Sequence, residues 1–394
     1  MSDKIKVAIV ISHPIQYFAP VFRSLALDAR IDLCVFFHTR RGVDSYFDAE
    51  FGKNIQWNVP LLDGYFHAFL STTASLGVFH WRIIPILFRF RPAAVIFFGY
   101  NSLTNIVGML IAKLLGSKVL MRGDTRLSRR DIDGNNGNLK VIFKRLLFQV
   151  FDGAVSIGEL NRRYYSYLGV PDDRIFFAPF CVSTDEFSNS VNTGERSDAG
   201  KRFRTSRGIP LGALVVLFAG KLIRQKRPCD LLNAFLIVRH AFPDAILAFA
   251  GSGPEEESLV QYSVVRGINA MFLGFINQRE LPALYASADV FVLPSEGEAW
   301  GLVVNEAMAA GLPVIVSDDV GAAADLVAEK DTGVVYPVGD VAQLATALVG
   351  LLSSENLRSR QGRNARVLIG QWTVPVCASA MAEAALYVSG RARP

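Results

Sequence analysis

Cysteine and histidine are scarce in this chain of 394 residues. The four cysteines, Cys34, Cys181, Cys229 and Cys377, form no CxxC and no paired spacing. That argues against a disulfide framework and fits a reducing, cytosolic compartment. The five histidines (His13, His38, His67, His80, His240) make no HExxH or comparable ligand cluster, so no metal site is legible. Walker A is missing. The loop after the first strand-like run, SHPIQYFAP (12–20), has no glycine, where a dinucleotide fingerprint would need three. GSGP at 251–254 follows a strand but carries GxG alone, a weak signal. The opening MSDKIKVAIVISHP has a short apolar stretch and no small-residue cleavage site, unlike a signal peptide. One charge-free stretch, 92–112, is long enough to span a membrane. Gly99, Asn101, Ser102, Thr104 and Asn105 break its middle. The preferred reading is a buried strand, a GYNS turn and a helix closed by Gly116, with a true span as the alternative.

What is present is globular: 51% hydrophobic and 20% charged residues. The net charge of +5 is uneven. Residues 1–185 carry 22 basic and 15 acidic side chains, against 19 and 21 in residues 186–394. The basic first half suits an anionic membrane surface or an anionic acceptor, or it is only a solvated face. KVIFKRLLFQVF (140–151) is open in the same way. It reads as a basic amphipathic helix on lipid, or as a core helix with a charged face.

Fully apolar runs alternate with helical segments in both halves. The first half has 6–11, 33–37, 93–98, 118–122, 153–157 and 174–178. The second has 213–220, 245–251, 270–275, 290–294, 313–318 and 333–337. Buried strands separated by helices mean parallel sheets covered on both faces, here two doubly wound α/β domains. The expected division is a first domain over 1–187, a polar linker over 188–208, a second domain over 209–371 and a helix over 372–394 that packs back on the first. Such sheets bind ligands beyond the carboxyl ends of their strands, so residues just after strands carry the candidates.

The strongest constellation is FVLPSEGEAWGLVVNEAMAAGLPVIVSD, 291–318. A buried strand ends at Pro294, a loop carries Glu298, and Trp300-Gly301 opens a helix containing Glu306 and terminated by Gly311. The helix start offers free N–H groups and a positive dipole end, an anion site suited to a diphosphate. The glutamates suit sugar hydroxyls. They equally fit a solvated helix end or a hydrolytic carboxylate pair, whose separation spacing cannot fix. GKLIRQKRP (220–228), again after a strand, brings Lys221, Arg224, Lys226 and Arg227, cations able to neutralise a leaving diphosphate.

At these residues the chain resembles the retaining glycosyltransferases of family 4, whose two Rossmann-like domains face each other across a cleft, the GT-B architecture. The resemblance runs in order through FAGKLIRQKRP, FAGSGPEE, MFLGFI, LYASADVFVLPSEGEAWGLVVNEAMAAGLPVIVSDDVGAAADLV and TGVVYPVGD, and more loosely through GAVSIGELNRRYY and PFCVSTDEF. It implies that Glu306 holds the ribose hydroxyls and Glu298 the donor sugar. Lys226 and Lys221 would pair with the phosphates. Backbone at Trp300, Gly301 and Leu302 would meet sugar and diphosphate, and Gly251 would border the donor. Backbone at Gly274, Phe275 and Ile276 would meet the base. It further implies retention, no metal and no cofactor, with the leaving phosphate helping to deprotonate the acceptor. The chain departs from the family in the SHPIQYF loop, in MRGDTRLSRR (121–130), at Lys221 where Arg is usual and at Asp325 where Glu is usual.

On this reading the first loop need not hold a phosphate. His13 and Gln16 face acceptor or sugar hydroxyls, unless His13 only caps the following helix. Asp124 and Arg122, at another strand end, join the acceptor side, with His13 and Asp124 as candidate catalytic groups. The expectation is a cytoplasmic enzyme, peripheral at an anionic membrane face. It would move a sugar from a UDP- or GDP-sugar to a glycan or lipid-linked acceptor in cell-surface polysaccharide or glycolipid assembly, with no nucleic-acid partner. The rivals are a sugar-nucleotide epimerase and a catalytically silent scaffold.

Overall fold

Ile5–Ile11 buries every residue but Lys6, as a strand covered on both faces must. It is β1 of a computed structural model that describes residues 4–71, 79–127, 139–188 and 197–391. In chain order there follow α1 (Ala19–Ala26), β2 (Ile31–Phe37), the short β3 (Tyr46–Asp48) and β4 (Lys53–Ile55), then β5 (Phe66–Phe69), α2 (Ile83–Phe90), β6 (Ala94–Phe98), α3 (Leu103–Leu114), β7 (Lys118–Arg122), α4 (Leu139–Phe148), β8 (Gly153–Ser156), α5 (Glu159–Tyr167) and β9 (Ile175–Phe177). The sheet order is β5-β2-β1-β6-β7-β8-β9, parallel throughout. The charge-free 92–112 stretch is the expected strand, turn and helix. Ser102 caps α3 by accepting from the Asn105 N–H, and Gly116 ends it at φ +79°. No helix among the described residues is long and apolar enough to cross a membrane.

The chain continues with α6 (Thr184–Ser188), α7 (Asp198–Ser206), β10 (Val215–Ala219), α8 (Pro228–Val238), β11 (Ile246–Ala250), α9 (Glu256–Arg266), β12 (Ala270–Gly274), α10 (Leu281–Ala286), β13 (Val290–Leu293), α11 (Leu302–Ala309), β14 (Val314–Ser317), β15 (Gly333–Tyr336), α12 (Val341–Ser353), α13 (Glu355–Ile369) and α14 (Val374–Val388). The second sheet is parallel in the order β12-β11-β10-β13-β14-β15. In each sheet the winding direction reverses once, between β1 and β6 and between β10 and β13. Loops leaving the strands there diverge and open a crevice.

The first compact unit comprises Met1–Tyr46, Ile55–Phe180 and Val374–Pro394, and the second Phe47–Asn54 and Cys181–Thr373. The final helix α14 packs on the first unit. Glu383 pairs with Arg30 at 2.6 Å, and the Tyr387 ring lies 5.3 Å from Phe176. Three strands lie outside the sequence reading. β3, β4 and β5 are short and lack the continuous apolar run that marks a buried strand.

The linker expected at 188–208 is corrected. Residues 189–196 lie outside the described residues, but α7 is an integral helix of the second unit. Its Arg204 is 0% exposed. The guanidinium donates to the carbonyls of Ser287, Pro210, Leu211 and Ala213 and to Asp289 Oδ2 at 2.9 Å. Asp289 also accepts the Val215 N–H, so one ion pair joins α7 to the starts of β10 and β13. A polar composition concealed it, because the helix faces the core through Phe203 and one satisfied arginine. Likewise the first unit ends at Phe180 rather than 187, and Phe187 of α6 packs on the Tyr285 ring at 5.7 Å.

Removing one member of a buried ion pair leaves the other charge uncompensated. Arg204→Met is expected to destabilise the second unit by about 3–5 kcal/mol, read as a lowered urea midpoint in far-UV circular dichroism. An unchanged midpoint would show that α7 is peripheral after all.

Candidate active site

In the second unit the loops after β10 and β13 meet because those strands pair. Lys226 Nζ donates to Glu298 Oε2, joining the two loops. Around this pair Glu296 N–H donates to the Gln225 carbonyl at 2.8 Å, and Gln225 Nε2 donates to the Gly297 carbonyl at 3.2 Å. Arg227 bridges Asp230 and Glu296. Glu298 is also fixed through its backbone to the loop after β14. Its N–H donates to the Asp319 carbonyl, and its own carbonyl accepts from Gly321 N–H.

Gly301 sets the entry to α11. Its φ is +93°, and a Cβ there would lie 2.8 Å from Leu293 Cδ2. Only glycine lets the chain turn so close to the strand. No side chain caps the helix start, at Leu302. Trp300 is turned inward, donating from Nε1 to Asn305 at 2.9 Å and stacking on Trp372 at 5.2 Å. Its part in any site is therefore its backbone. Glu306, one turn further on, is 1% exposed and accepts from the Tyr285 hydroxyl at 2.7 Å.

The strand ends to the other side are laced edge to edge. Gly220 N–H donates to Ala250 O, and Gly251 N–H to Gly274 O at 2.7 Å. A Cβ on Gly251 would sit 1.8 Å from the Gly220 oxygen. Over these loops lies the β3–β4 hairpin. Lys221 contacts the carboxylates of Asp48 and Glu50 and lies 4.9 Å from the Phe51 ring centre. Ser252 donates to the Phe51 carbonyl, and Phe275 meets Phe51 edge-on at 5.3 Å. Ile276 is buried. The structure thus brings Lys226 with Glu298, and Lys221 with Gly251 and Phe275. Sequence reasoning missed Tyr285, Gln225, Asp319 and the hairpin carboxylates. Gln225, in the GKLIRQKRP loop, and Asp319, in SDDVG after a strand, stood where a signal existed.

In the first unit a cavity of about 280 Å³ opens at the β1–β6 reversal. Arg122 and Asp124 line it together with Ser12, Phe18, Phe98 and Phe180. His13 and Gln16 lie outside its wall. His13 does not cap α1. That helix has no side-chain cap, and His13 Nδ1 instead meets Ser12 Oγ at 2.9 Å. Burial, reinforced by the nearby Arg41 charge, lowers His13 to about 4, so its imidazole is neutral near pH 7. His38, buried and bonded to Asn105 at 2.9 Å, is lowered to about 4 by burial, and His80 is lowered by the same cause. Among the described residues no three His, Cys, Asp or Glu side chains cluster as metal ligands.

The architecture, two parallel Rossmann-like sheets closed by a returning C-terminal helix, is of the GT-B class. HepE of Anabaena, in a crystal structure with UDP, shares the fold with a TM-score of 0.74 at 16% identity, over 96% of this chain and 99% of that one. Residues 201–368 match the family described as glycosyl transferases group 1. The sulfoquinovosyl transferase SQD2 of Arabidopsis thaliana is 38% identical over 182 residues, 45% of this chain and 34% of that protein. A phosphatidyl-myo-inositol mannosyltransferase of Mycobacterium leprae is 36% identical over 178 residues, 44% of this chain and 46% of that protein. The chain spans less than half the length of these relatives.

The three lowered histidines all lie in the first unit. His13 and His38 are neutral when folded and protonated when unfolded between about pH 6.5 and 4, and His80 shifts in the same direction. The unfolded chain binds more protons in that window, so stability falls as pH drops through it and these groups take no more below it. His38 alone is worth about 3 kcal/mol by this linkage. Thermal unfolding at pH 6.5 and 4.5 is expected to show the loss, and His38→Gln to reduce it. Equal losses in both proteins would remove the assignment.

Proposed function

We infer that this chain is a metal-independent, retaining glycosyltransferase that takes its sugar from a nucleotide-diphosphate sugar. The observation that carries the reading is the Lys226–Glu298 contact at the β10–β13 reversal, beside an uncapped helix start whose helix carries Glu306. Lys226 and Lys221 with the α11 amides would carry the diphosphate, Glu298 the sugar hydroxyls and Glu306 the ribose. Gly274, Phe275 and Ile276 would carry the base. In the transfer the bond from the anomeric carbon to the phosphate oxygen breaks, and a bond to the acceptor oxygen forms on the same face. The acceptor proton passes to the leaving phosphate. The chain contributes positioning and charge stabilisation. UDP is the favoured nucleotide, since HepE, alike in fold, was crystallised with UDP and with UDP and glucose.

Both lysines are held by carboxylates, Lys226 by Glu298 and Lys221 by Glu50 and Asp48. A diphosphate would displace Glu50, which is exposed, more easily than the buried Asp48. Thermal shift with UDP, GDP and ADP identifies the nucleotide, a ligand at 100 times its dissociation constant stabilising by about 2.7 kcal/mol. Titration with that nucleotide is then expected to show Glu306→Gln binding at least tenfold more weakly and Glu50→Gln several-fold more tightly. No shift with any nucleotide would sink the reading, and an unchanged constant in Glu306→Gln would remove that residue's role.

The acceptor is read as glycan or lipid-linked, at an anionic membrane face. Helix α4 supports this because it is inverted. Leu139, Ile142, Phe143 and Leu146, at i, i+3, i+4 and i+7, are 81%, 43%, 65% and 58% exposed. Two of its cations turn inward instead. Lys144 donates to the Tyr164 hydroxyl, and Arg145 to the Tyr167 carbonyl beneath its ring. Right-handed crossovers put α3 on the same face of the sheet, with Leu110 and Leu114 exposed. An outward apolar stripe with the exposed Lys140 beside it suits an anionic lipid surface. Phe143→Ser is expected to cut binding to phosphatidylglycerol vesicles at least fivefold in a flotation assay. Equal binding of the variant, or equal binding to pure phosphatidylcholine vesicles, would count against this surface.

A further inference from the structure

Two arginines among the described residues are wholly buried, and they differ in one respect. Arg204 pairs with Asp289 and donates to four carbonyls. Arg122, 1% exposed, has no carboxylate within ion-pair distance among the described residues. Its Nη1 donates to the Ala178 carbonyl at 3.1 Å, and Nη2 reaches Cys377 Sγ at 3.5 Å. Nε has no partner at all. Both acceptors are neutral, so the charge stays uncompensated in an apolar surround. The Phe98 ring centre lies 5.9 Å from the guanidinium carbon. A buried, unpaired guanidinium is costly, and a cross-link between the sheet and α14 needs no charge. Arg122 lines the cavity at the β1–β6 reversal, where ligands bind in such sheets.

We propose that this cavity takes an acidic acceptor, whose carboxylate or phosphate monoester supplies the missing counter-charge to Arg122. The proposal rests on the glycosyltransferase reading for the word acceptor, but the site itself does not. Phe18, Phe98 and Phe180 form an aromatic wall, with Phe18 edge-on to Phe98 at 4.9 Å and stacked with Phe180 at 5.6 Å. That wall suits the apolar face of a sugar ring. Asn101, Asp124 and Thr125 are exposed at the rim. Asp124 accepts from hydroxyls and repels acids, whereas Arg122 attracts them. An acceptor with both groups therefore enters one way round, acid inward and hydroxyl outward. A neutral acceptor would leave the guanidinium as unpaired as it is without a ligand, and that difference is the basis of selection.

The test uses the full chain with UDP present and three probes that share an aromatic group: p-nitrophenyl β-D-glucuronide, p-nitrophenyl β-D-glucoside and p-nitrophenyl phosphate. Glucuronide and glucoside differ only in a carboxylate against a hydroxymethyl group. Dissociation constants are read by ligand-observed NMR. The expected result is that the glucuronide or the phosphate binds at least tenfold more tightly than the glucoside, the tighter of the two telling carboxylate from phosphate. Arg122→Met is expected to abolish the preference and Arg122→Lys to retain part of it, both still binding UDP. Equal affinity for all three probes in the wild-type chain overturns the proposal, and that comparison needs no variant to fold. A preference that survives Arg122→Met overturns it too. Failure of UDP to bind would instead strike the glycosyltransferase reading and leave the glucuronide comparison standing.

Discussion

The site in the second unit depends on how closely strand ends can approach. Gly251 lies so near the Gly220 carbonyl that a methyl group would overlap it, and its N–H is held by Gly274. That contact aligns the ends of β10, β11 and β12 as one edge. Pairing of β10 with β13 then brings the basic loop 220–228 against the acidic loop 294–301. The polar contacts between those two loops, Lys226 with Glu298, Gln225 with Gly297, Arg227 with Glu296, follow from that adjacency. Two strands distant in sequence meet at the winding reversal, and the chemistry collects in the crevice they leave.

Charge is handled differently in the two halves. In the second unit Lys221 and Lys226 each already have a carboxylate, so a diphosphate bound there would exchange with it. Such an exchange costs little, because a phosphate replaces one anion with another at the same ammonium group. In the first unit the buried cation has only neutral partners. A binding site built around a standing charge selects ligands by charge, whereas one built on exchangeable pairs selects by geometry. The two arrangements suit a donor whose diphosphate is constant and an acceptor whose acid sets it apart from other hydroxyl compounds.

Much was legible in the residues. The twelve apolar runs are strands, the 92–112 stretch resolves into strand, turn and helix, and α11 ends at Gly311, whose φ is +74°. These follow from local rules: a strand buried on both faces must be apolar, and a helix that turns sharply needs glycine at its end. The misses share a cause as well. α7 looked like a linker because a long-range ion pair, Arg204 with Asp289, makes a polar segment fit to bury. The β3–β4 hairpin has no run to betray it, and its carboxylates matter only because of where Lys221 stands.

The sequence by itself determined the class of fold, the two parallel sheets, the returning helix and the acidic and basic loops that flank the second-unit crevice, since each is written in local pattern and order along the chain. Tertiary structure alone decided which way side chains face. Trp300 turns into the core to stack on Trp372, leaving only its backbone to the site. Helix α4 turns its apolar stripe outward and Lys144 and Arg145 in, although an amphipathic pattern reads the same either way round. Arg122 and Arg204 are alike in sequence, and only packing shows that one has a carboxylate and the other does not. Periodicity defines a face. What that face meets depends on residues far away in the chain.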